Sequence, residues 1–202
     1  MLNRLRGFMT RVMTPPADAL LKRGVSPDAV TIAGTVAVVV VALWLYPTGH
    51  LLVATLLIAA FALTDSLDGV MARRAGRSSS WGAFLDSTLD RLADAAIFSG
   101  LVLWFFGRGD DALAGGLALA CLVLGSVVPY ARARAEGLGM TASVGIAERA
   151  DRLAAVLTAT ALVGIGLPSV ILTVVLGLLA VASAITVVQR MATVRAQVRA
   201  AS

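Results

Sequence analysis

Four aspartates occur at helical spacing in a strongly apolar stretch of the chain. Asp65 and Asp68 are three residues apart and Asp86 and Asp90 are four apart, so each pair lies on one face of its own helix. A carboxylate in such apolar sequence is costly and usually functional. A glycine and three serines within residues 76–80 break the chain between the pairs, which lets the two helices turn back on each other. We therefore expect the two acidic faces to meet.

Converging carboxylates would repel one another strongly in a site of low dielectric. Divalent cations such as Mg²⁺ or Mn²⁺ prefer oxygen ligands and would neutralise this charge. The alternative is ion pairing with the arginines of the same stretch, which are Arg73, Arg74, Arg77 and Arg91. Ion pairing is the more common explanation for a single aspartate in this setting. Four aspartates on two facing stripes favour a metal site formed by Asp65, Asp68, Asp86 and Asp90.

Eight residues at fixed spacing carry a resemblance to a known family. The pattern Asp65-x2-Asp68-Gly69-x2-Ala72-Arg73-x8-Gly82-x3-Asp86-x3-Asp90 resembles the motif of the CDP-alcohol phosphotransferases at all eight positions, without a gap. Members of that family transfer a group from a CDP-linked lipid, most often CDP-diacylglycerol, to an alcohol and release CMP. The resemblance implies a membrane enzyme with this substrate class.

The same resemblance implies roles for individual residues. Asp65, Asp68 and Asp86 would hold one Mg²⁺ or Mn²⁺ ion, Asp86 and Asp90 would contribute to a second, and Asp90 would be the general base for the acceptor hydroxyl. The residues expected to bind CDP-diacylglycerol are Asp28, Ala29, Val30, Thr31, Gly69, Ala72, Arg73, Ser79 and Gly82. Ser26 and Pro27, just before the first of these, are typical of a helix start and need no ligand to explain them.

The composition indicates a membrane protein, because 58% of the 202 residues are hydrophobic and only 14% are charged. We predict an all-α polytopic fold, with a basic amphipathic juxtamembrane helix in residues 1–25 and a six-helix transmembrane domain in residues 26–202. The expected spans are Val30–Tyr46, Leu51–Thr64 continuing to about Ala72, Ala83–Phe106, Ala112–Ala131, and two within Leu153–Gln189 on either side of a break at residues 164–168.

The distribution of basic residues predicts the orientation. All of the 17 lysines and arginines except Arg108 fall in the terminal segments or in alternate connections. The positive-inside rule then places both termini and the aspartates at the cytoplasmic face of the plasma membrane. This topology accounts for the formal charge of +5, so no nucleic-acid partner is expected.

Arginines at the predicted cytoplasmic helix ends indicate the second substrate. Arg134, Arg149, Arg152 and Arg190 suit a phosphate group, which arginine binds through paired hydrogen bonds. We therefore expect a phosphorylated acceptor. The segments RARAEGLG and VGIAERADR also resemble actinobacterial members of the family that join CDP-diacylglycerol to inositol 3-phosphate. Glycerol 3-phosphate is the alternative acceptor, since physical reasoning does not separate two small phosphorylated polyols.

A different class of protein is a small metal or ion transporter with an intramembrane aspartate site. Transporter sites usually lie near the bilayer midplane, often within internal repeats, whereas these aspartates lie at helix ends and no repeat is evident. The resemblance implies a homodimer. Asp94 continues the stripe of Asp90 at four residues' distance, and we expect it to support the site or to pair with an arginine.

Overall fold

A computed structural model of the chain describes residues 13–62, 64–74, 79–146 and 148–201, and at residues 64–66, 68 and 201 the backbone alone. Within these residues the regular structure is helical. The helices are α1 (13–22), α2 (Pro27–Leu45), α3 (Leu51–Ala62), α4 (Thr64–Arg74), α5 (Ser80–Phe106), α6 (Ala112–Glu136), α7 (Arg149–Gly164) and α8 (Val170–Ala201). The predicted all-α class is confirmed.

The helix ends fall where the sequence signals them. The hydroxyl of Ser26 accepts a hydrogen bond from the backbone N–H of Ala29 at 3.2 Å, with Pro27 in the first turn, as expected of an N-cap. The breaks predicted near residues 47–50, 107–111 and 164–168 separate α2 from α3, α5 from α6 and α7 from α8. The stretch expected to run on from Leu51 to Ala72 is helical over Leu51–Ala62 and Thr64–Arg74, labelled α3 and α4, and residue 63 between them lies outside the described residues.

Six of the helices pack in a closed ring. Around it, α2 contacts α5, α5 contacts α6, α6 contacts α8, α8 contacts α7, α7 contacts α3, and α3 returns to α2. The fourth helix lies outside this circuit against α2 and α3. Helices α5 and α7 therefore lie opposite each other, with the ring interior between them.

The ring is apolar on both its inner and outer surfaces. Its interior is filled by residues such as Ile58, Phe98 and Leu176, while Trp44 and Leu178 are among many large apolar side chains exposed on its outside. Three helices, Pro27–Leu45, Ala112–Glu136 and Val170–Ala200, are long and apolar enough to cross a membrane. An apolar outer surface on such helices is typical of an integral membrane protein.

The contact between α2 and α5 requires glycine at position 100. A Cβ atom added there would lie 2.3 Å from the backbone oxygen of Ala42 and 3.0 Å from the ring of Tyr46. The absence of a side chain thus lets the two helices approach closely. This packing fixes the direction in which the opposite half of α5, with its aspartates, extends.

Candidate active site

Three aspartates lie along one stripe of α5, from its exposed beginning into the ring. The helix is capped by Ser79, whose hydroxyl accepts a hydrogen bond from the backbone N–H of Gly82 at 3.0 Å. Asp86, one turn further, is exposed. The exposed fraction of the side chain then falls to 19% at Asp90 and 11% at Asp94. The stripe therefore leads from solvent towards the interior of the bundle.

Arginines of α7 reach across the ring to the inner two aspartates. Nη1 of Arg149 lies 2.9 Å from Oδ1 of Asp90, and Nε of the same guanidinium donates to Oδ1 of Asp94 at 3.0 Å. Nη2 of Arg152 lies 3.6 Å from Oδ2 of Asp94. Arg152 itself is almost fully buried. Two carboxylates one turn apart on α5 thus face two guanidiniums one turn apart on α7, which confirms the predicted arginine partner for Asp94.

Asp90 also has a neighbour on its own helix, because Nη2 of Arg91 lies 3.6 Å from its Oδ2. Pairing of the aspartates with arginine, the alternative to a metal site, therefore occurs at Asp90. It does not argue against a cation there. Carboxylate oxygens are the ligands that Mg²⁺ and Mn²⁺ prefer, and Asp86 and Asp90 lie on successive turns of α5. The described part of the donor set, Asp86 and Asp90, fits a divalent metal ion.

The first pair of motif aspartates lies on α4. Its backbone places Asp65 and Asp68 on adjoining turns, and their carboxylates lie outside the described part of the structure. The same helix carries Val70 and Met71, which are buried in one cluster with Ala17 of α1. The metal ligation predicted for Asp65 and Asp68 stays a prediction.

Two glycines of the motif are not needed for packing against the residues that the structure describes. Among those residues, a Cβ atom at Gly69 would meet nothing closer than Nη1 of Arg73 at 3.5 Å, and one at Gly82 would meet only Oγ of Ser79, also at 3.5 Å. Both are ordinary contact distances, unlike that at Gly100. Space beside a bare backbone at both positions is what a closely bound ligand would need.

The residues expected to bind the nucleotide lie at the start of α2, on α4 and at the start of α5. Asp28 and Ala29 lie in the first turn of α2, and Oδ2 of Asp28 accepts a hydrogen bond from Nε1 of Trp81 at 3.2 Å. Val30 packs against the cluster of α1 and α4, and Thr31 is buried and donates to the carbonyl of Pro27. Binding of the nucleotide by these four residues stays a prediction, as it does for Ala72, the exposed Arg73 and Ser79. The capping hydrogen bond of Ser79 explains this serine without a ligand.

Sequence reasoning missed Trp81. It is 59% exposed and joins the first turn of α5 to the first turn of α2, and its ring lies 5.9 Å from that of Phe84. The signal available was an aromatic residue next to a motif glycine, Gly82. Tryptophan at a membrane surface is common enough that this position alone did not indicate a tie between the two helices.

The structure brings two of the four predicted phosphate-binding arginines to the aspartates of α5. Arg149 and Arg152 meet at the aspartates. Arg190 on α8 is buried, its Nε donates to the carbonyl of Val144 at 2.9 Å, and its Nη1 donates to the carbonyl of Val128. Arg134 is exposed at the end of α6, and its predicted part in the site stays a prediction.

The connection between α6 and α7 is bound to α8 at three points, and this fixes the start of α7. Besides Arg190, the hydroxyl of Thr186 accepts from the backbone N–H of Ile146 at 3.2 Å, and the amide of Gln197 bonds both backbone groups of Thr141. Gly145 has φ of +145°, and a Cβ there would lie 2.4 Å from Cγ2 of Thr186. This binding holds the connection in place three residues before Arg149.

Comparisons with known proteins agree with this arrangement. Residues 24–188 match the CDP-alcohol phosphatidyltransferase family. The phosphatidylinositol phosphate synthase of Streptomyces avermitilis is 48% identical over 202 residues, which cover 96% of this chain and 83% of that protein.

Two crystal structures of the Mycobacterium tuberculosis phosphatidylinositol phosphate synthase are also similar. The one with CDP-DAG bound is 43% identical with a TM-score of 0.88, over 91% of this chain and 94% of that one. The one in complex with manganese and citrate is 42% identical with a TM-score of 0.85, over 90% and 88%. The chain belongs to the CDP-alcohol phosphatidyltransferase family.

Proposed function

We propose that the protein transfers the phosphatidyl group of CDP-diacylglycerol to inositol 3-phosphate and releases CMP. The observation that carries the proposal is the meeting of Asp90 and Arg149 at the inner part of the α5 stripe. It places an oxygen base next to a guanidinium that suits a phosphate. Relatives named phosphatidylinositol phosphate synthase are similar in sequence to this chain over most of its length, which supports the choice of reaction.

The residues would divide the chemistry as follows. Asp65, Asp68, Asp86 and Asp90 would hold Mg²⁺ or Mn²⁺, as two ions. These cations supply charge neutralisation at the diphosphate. Asp90 takes the proton of the acceptor hydroxyl, and that oxygen attacks the phosphorus that carries the diacylglycerol. The bond from this phosphorus to the oxygen of CMP breaks, and CMP leaves.

The space around the motif glycines would take the nucleotide. Gly69 and Gly82 leave backbone open on α4 and α5, and Asp28 and Ala29 begin α2 beside them. The hydrogen bond between Asp28 and Trp81 keeps the first turns of α2 and α5 together, so a nucleotide bound between these elements would meet a preformed surface. Ala72 and Arg73 would complete that surface from α4.

Arginine would select a phosphorylated acceptor. Arg149 and Arg152 approach the aspartates from α7, and Arg190 is held nearby by two backbone carbonyls. A guanidinium whose other donors are already fixed loses little freedom when it binds phosphate. Arg134 would assist from α6. Glycerol 3-phosphate carries the same phosphate chemistry, and the experiment below separates the two acceptors.

The membrane arrangement belongs to the same proposal. The six helices of the ring would each span the bilayer, with the charges in the first half of α5 and in the first turn of α7 placed towards the membrane surface. The charged ends and both termini would face the cytoplasm, following the positive-inside rule. The homodimer implied by the family would bring two such rings together within the lipid, through part of the exposed apolar surface.

The test is CMP release by the purified full chain in detergent with CDP-diacylglycerol and Mg²⁺. Inositol 3-phosphate, free inositol and glycerol 3-phosphate are supplied in parallel, with a metal-free control. We expect release with inositol 3-phosphate and little with free inositol, because the arginines require the phosphate. Release with glycerol 3-phosphate alone would show that glycerol 3-phosphate, and not inositol 3-phosphate, is the acceptor. No release with any acceptor would contradict the proposed reaction.

A further inference from the structure

We propose that Asp94 is a positioning residue that holds Arg149 as an exchangeable counter-ion of Asp90. In this arrangement Arg149 neutralises Asp90 until a divalent cation binds there. The cation then displaces Arg149, whose freed N–H groups become available to the acceptor phosphate. The inference rests on the proposed function and adds to it an order of events, with the cation before the acceptor.

The geometry divides one guanidinium between two carboxylates. Nη1 of Arg149 points to Asp90 at 2.9 Å, while Nε donates to Asp94 at 3.0 Å. Because the two contacts use different nitrogen atoms, the contact with Asp90 can break while the contact with Asp94 remains. Arg149 then stays beside the site instead of turning out to solvent.

The two carboxylates differ in how firmly they are held. Asp94 is the more buried, and Arg152, itself buried, lies 3.6 Å from its second oxygen. Asp90 lies nearer the entrance and belongs to the metal-binding motif. The deeper aspartate is therefore suited to be the fixed anchor and the outer one to be the partner that changes.

There is space for the arginine to move. A cavity of about 30 Å³ adjoins Asp90 and Arg149, and its other walls include Thr35 of α2 and Leu153 of α7. This volume is close to that of one water molecule. The cavity gives room for a small shift of the guanidinium away from Asp90, and it is too small to hold the whole side chain.

Competition between arginine and cation predicts an energetic coupling between Arg149 and Asp94 that simple charge repulsion lacks. Removing Arg149 should strengthen metal binding, because the cation no longer has to displace it. Once Arg149 is removed, Asp94 should have little further influence on metal affinity, whereas removal of a residue that only stabilises the fold would weaken metal binding. Binding of the cation and of the acceptor phosphate should also strengthen each other, since linkage is reciprocal.

The experiment measures Mn²⁺ binding to the metal-stripped full chain in detergent, without substrate, by electron paramagnetic resonance. For Arg149→Met we expect the dissociation constant of Mn²⁺ to fall about tenfold, within the usual range of coupling between sites. For Asp94→Asn we expect it to rise severalfold, because Arg149 then pairs with Asp90 alone. The double variant should return to the tight binding of Arg149→Met, which a cycle of the four proteins would show as non-additivity.

The matched control is Arg132→Met, which removes the same charge from an exposed ion pair with Glu136 on α6. We expect its Mn²⁺ affinity to stay within about twofold of the wild type, since exposed charges are screened. Thermal unfolding of each variant checks that it is folded. If Asp94→Asn fails to fold, Arg149→Met against Arg132→Met still decides the question.

An unchanged or weakened Mn²⁺ affinity in Arg149→Met would overturn the inference. So would equal tightening in Arg149→Met and Arg132→Met, because the effect would then be general charge. These outcomes leave the proposed function intact if the wild type still releases CMP with Mg²⁺ and a phosphorylated acceptor. Failure of the wild type to release CMP with any acceptor would overturn the proposed function instead.

Discussion

The two ends of the helical ring are closed in opposite ways. At one end, short turns join α2 to α3, α5 to α6 and α7 to α8, and the contacts are local, such as the hydrogen bond of 3.0 Å between Tyr46 and Thr55 and the cap of Asp111 on the N–H of Ala114. We call this the turn end. At the other, the charged end, buried guanidiniums of α7 and α8 contact carboxylates and carbonyls of other elements.

The turn end shows that this ring can be closed without buried ion pairs. Taking two charges out of water costs several kcal/mol for each ion, and the pair does not always recover that cost. The charges at the other end are therefore poorly explained by stability alone. A site that must bind cations and phosphate accounts for them directly, and the two ends should respond differently to substitution.

The largest effect is expected from Asp90→Asn at the charged end. Loss of the base should lower kcat about 10³-fold, within the range usual for general-base catalysis, while binding of CDP-diacylglycerol is largely retained. The measurement is steady-state CMP release together with binding of the lipid substrate. The control Asp110→Asn, an exposed position at the turn end with φ of +44° that asparagine tolerates, should leave both unchanged. Near-normal turnover of Asp90→Asn would reject the role of Asp90 as base.

A smaller effect, specific to one substrate, is expected from Arg152→Ala and Arg190→Ala. Each should raise the KM for the acceptor by about 10²-fold, because a charged hydrogen bond of this kind contributes roughly 1.5–3 kcal/mol. The KM for CDP-diacylglycerol should change far less. Arg108→Ala, at the turn end, is the control. Equal changes for both substrates would indicate damage to the fold rather than a phosphate contact.

Substitutions in the half of the ring near the turn end should change the free energy of unfolding and leave the catalytic activity of the folded protein unchanged. Gly100→Ala places a Cβ against the backbone of Ala42 and should reduce the free energy of unfolding by about 1–3 kcal/mol through overpacking. Gly116→Ala, where a Cβ meets nothing within 4 Å, should be neutral or stabilising. Thermal unfolding in detergent compares the two. Equal stability of both variants would contradict the close α2–α5 contact.

The smallest effect is expected from Asp111→Ala, which removes the N-cap of α6. The loss should be about 1 kcal/mol in the free energy of unfolding, with kcat and both KM values unchanged in the folded protein. Asp111→Asn keeps a capping oxygen and should therefore retain most of the free energy of unfolding that Asp111→Ala loses. A loss of activity in Asp111→Ala without loss of stability would show that the turn end also takes part in function.

Local signals predicted much of the fold. Caps and turns at Ser26, at residues 107–111 and at residues 164–168 depend on neighbouring residues, so the sequence is enough to place them. The spacing of Asp86, Asp90 and Asp94 likewise fixed their common face.

Contacts between distant elements were harder to predict. The residues next to Arg149 in the sequence do not indicate that its guanidinium contacts both Asp90 and Asp94. Those contacts depend on the positions of α5 and α7 opposite each other in the ring. The hydrogen bond from Trp81 to Asp28 and the binding of the α6–α7 connection to α8 are of the same kind. Arg190 was predicted as a phosphate ligand from its position at a helix end, and its bonds to two carbonyls required the tertiary structure.

The most direct test of the account is formation of lipid product by the purified chain. CDP-diacylglycerol and inositol 3-phosphate are supplied with Mg²⁺, and both CMP and the phosphatidylinositol phosphate are quantified against a metal-free reaction and against Asp90→Asn. The account predicts equal amounts of the two products, formed only with the metal and nearly absent in the variant. Product formation that continues without a divalent cation, or at an undiminished rate in Asp90→Asn, would contradict it.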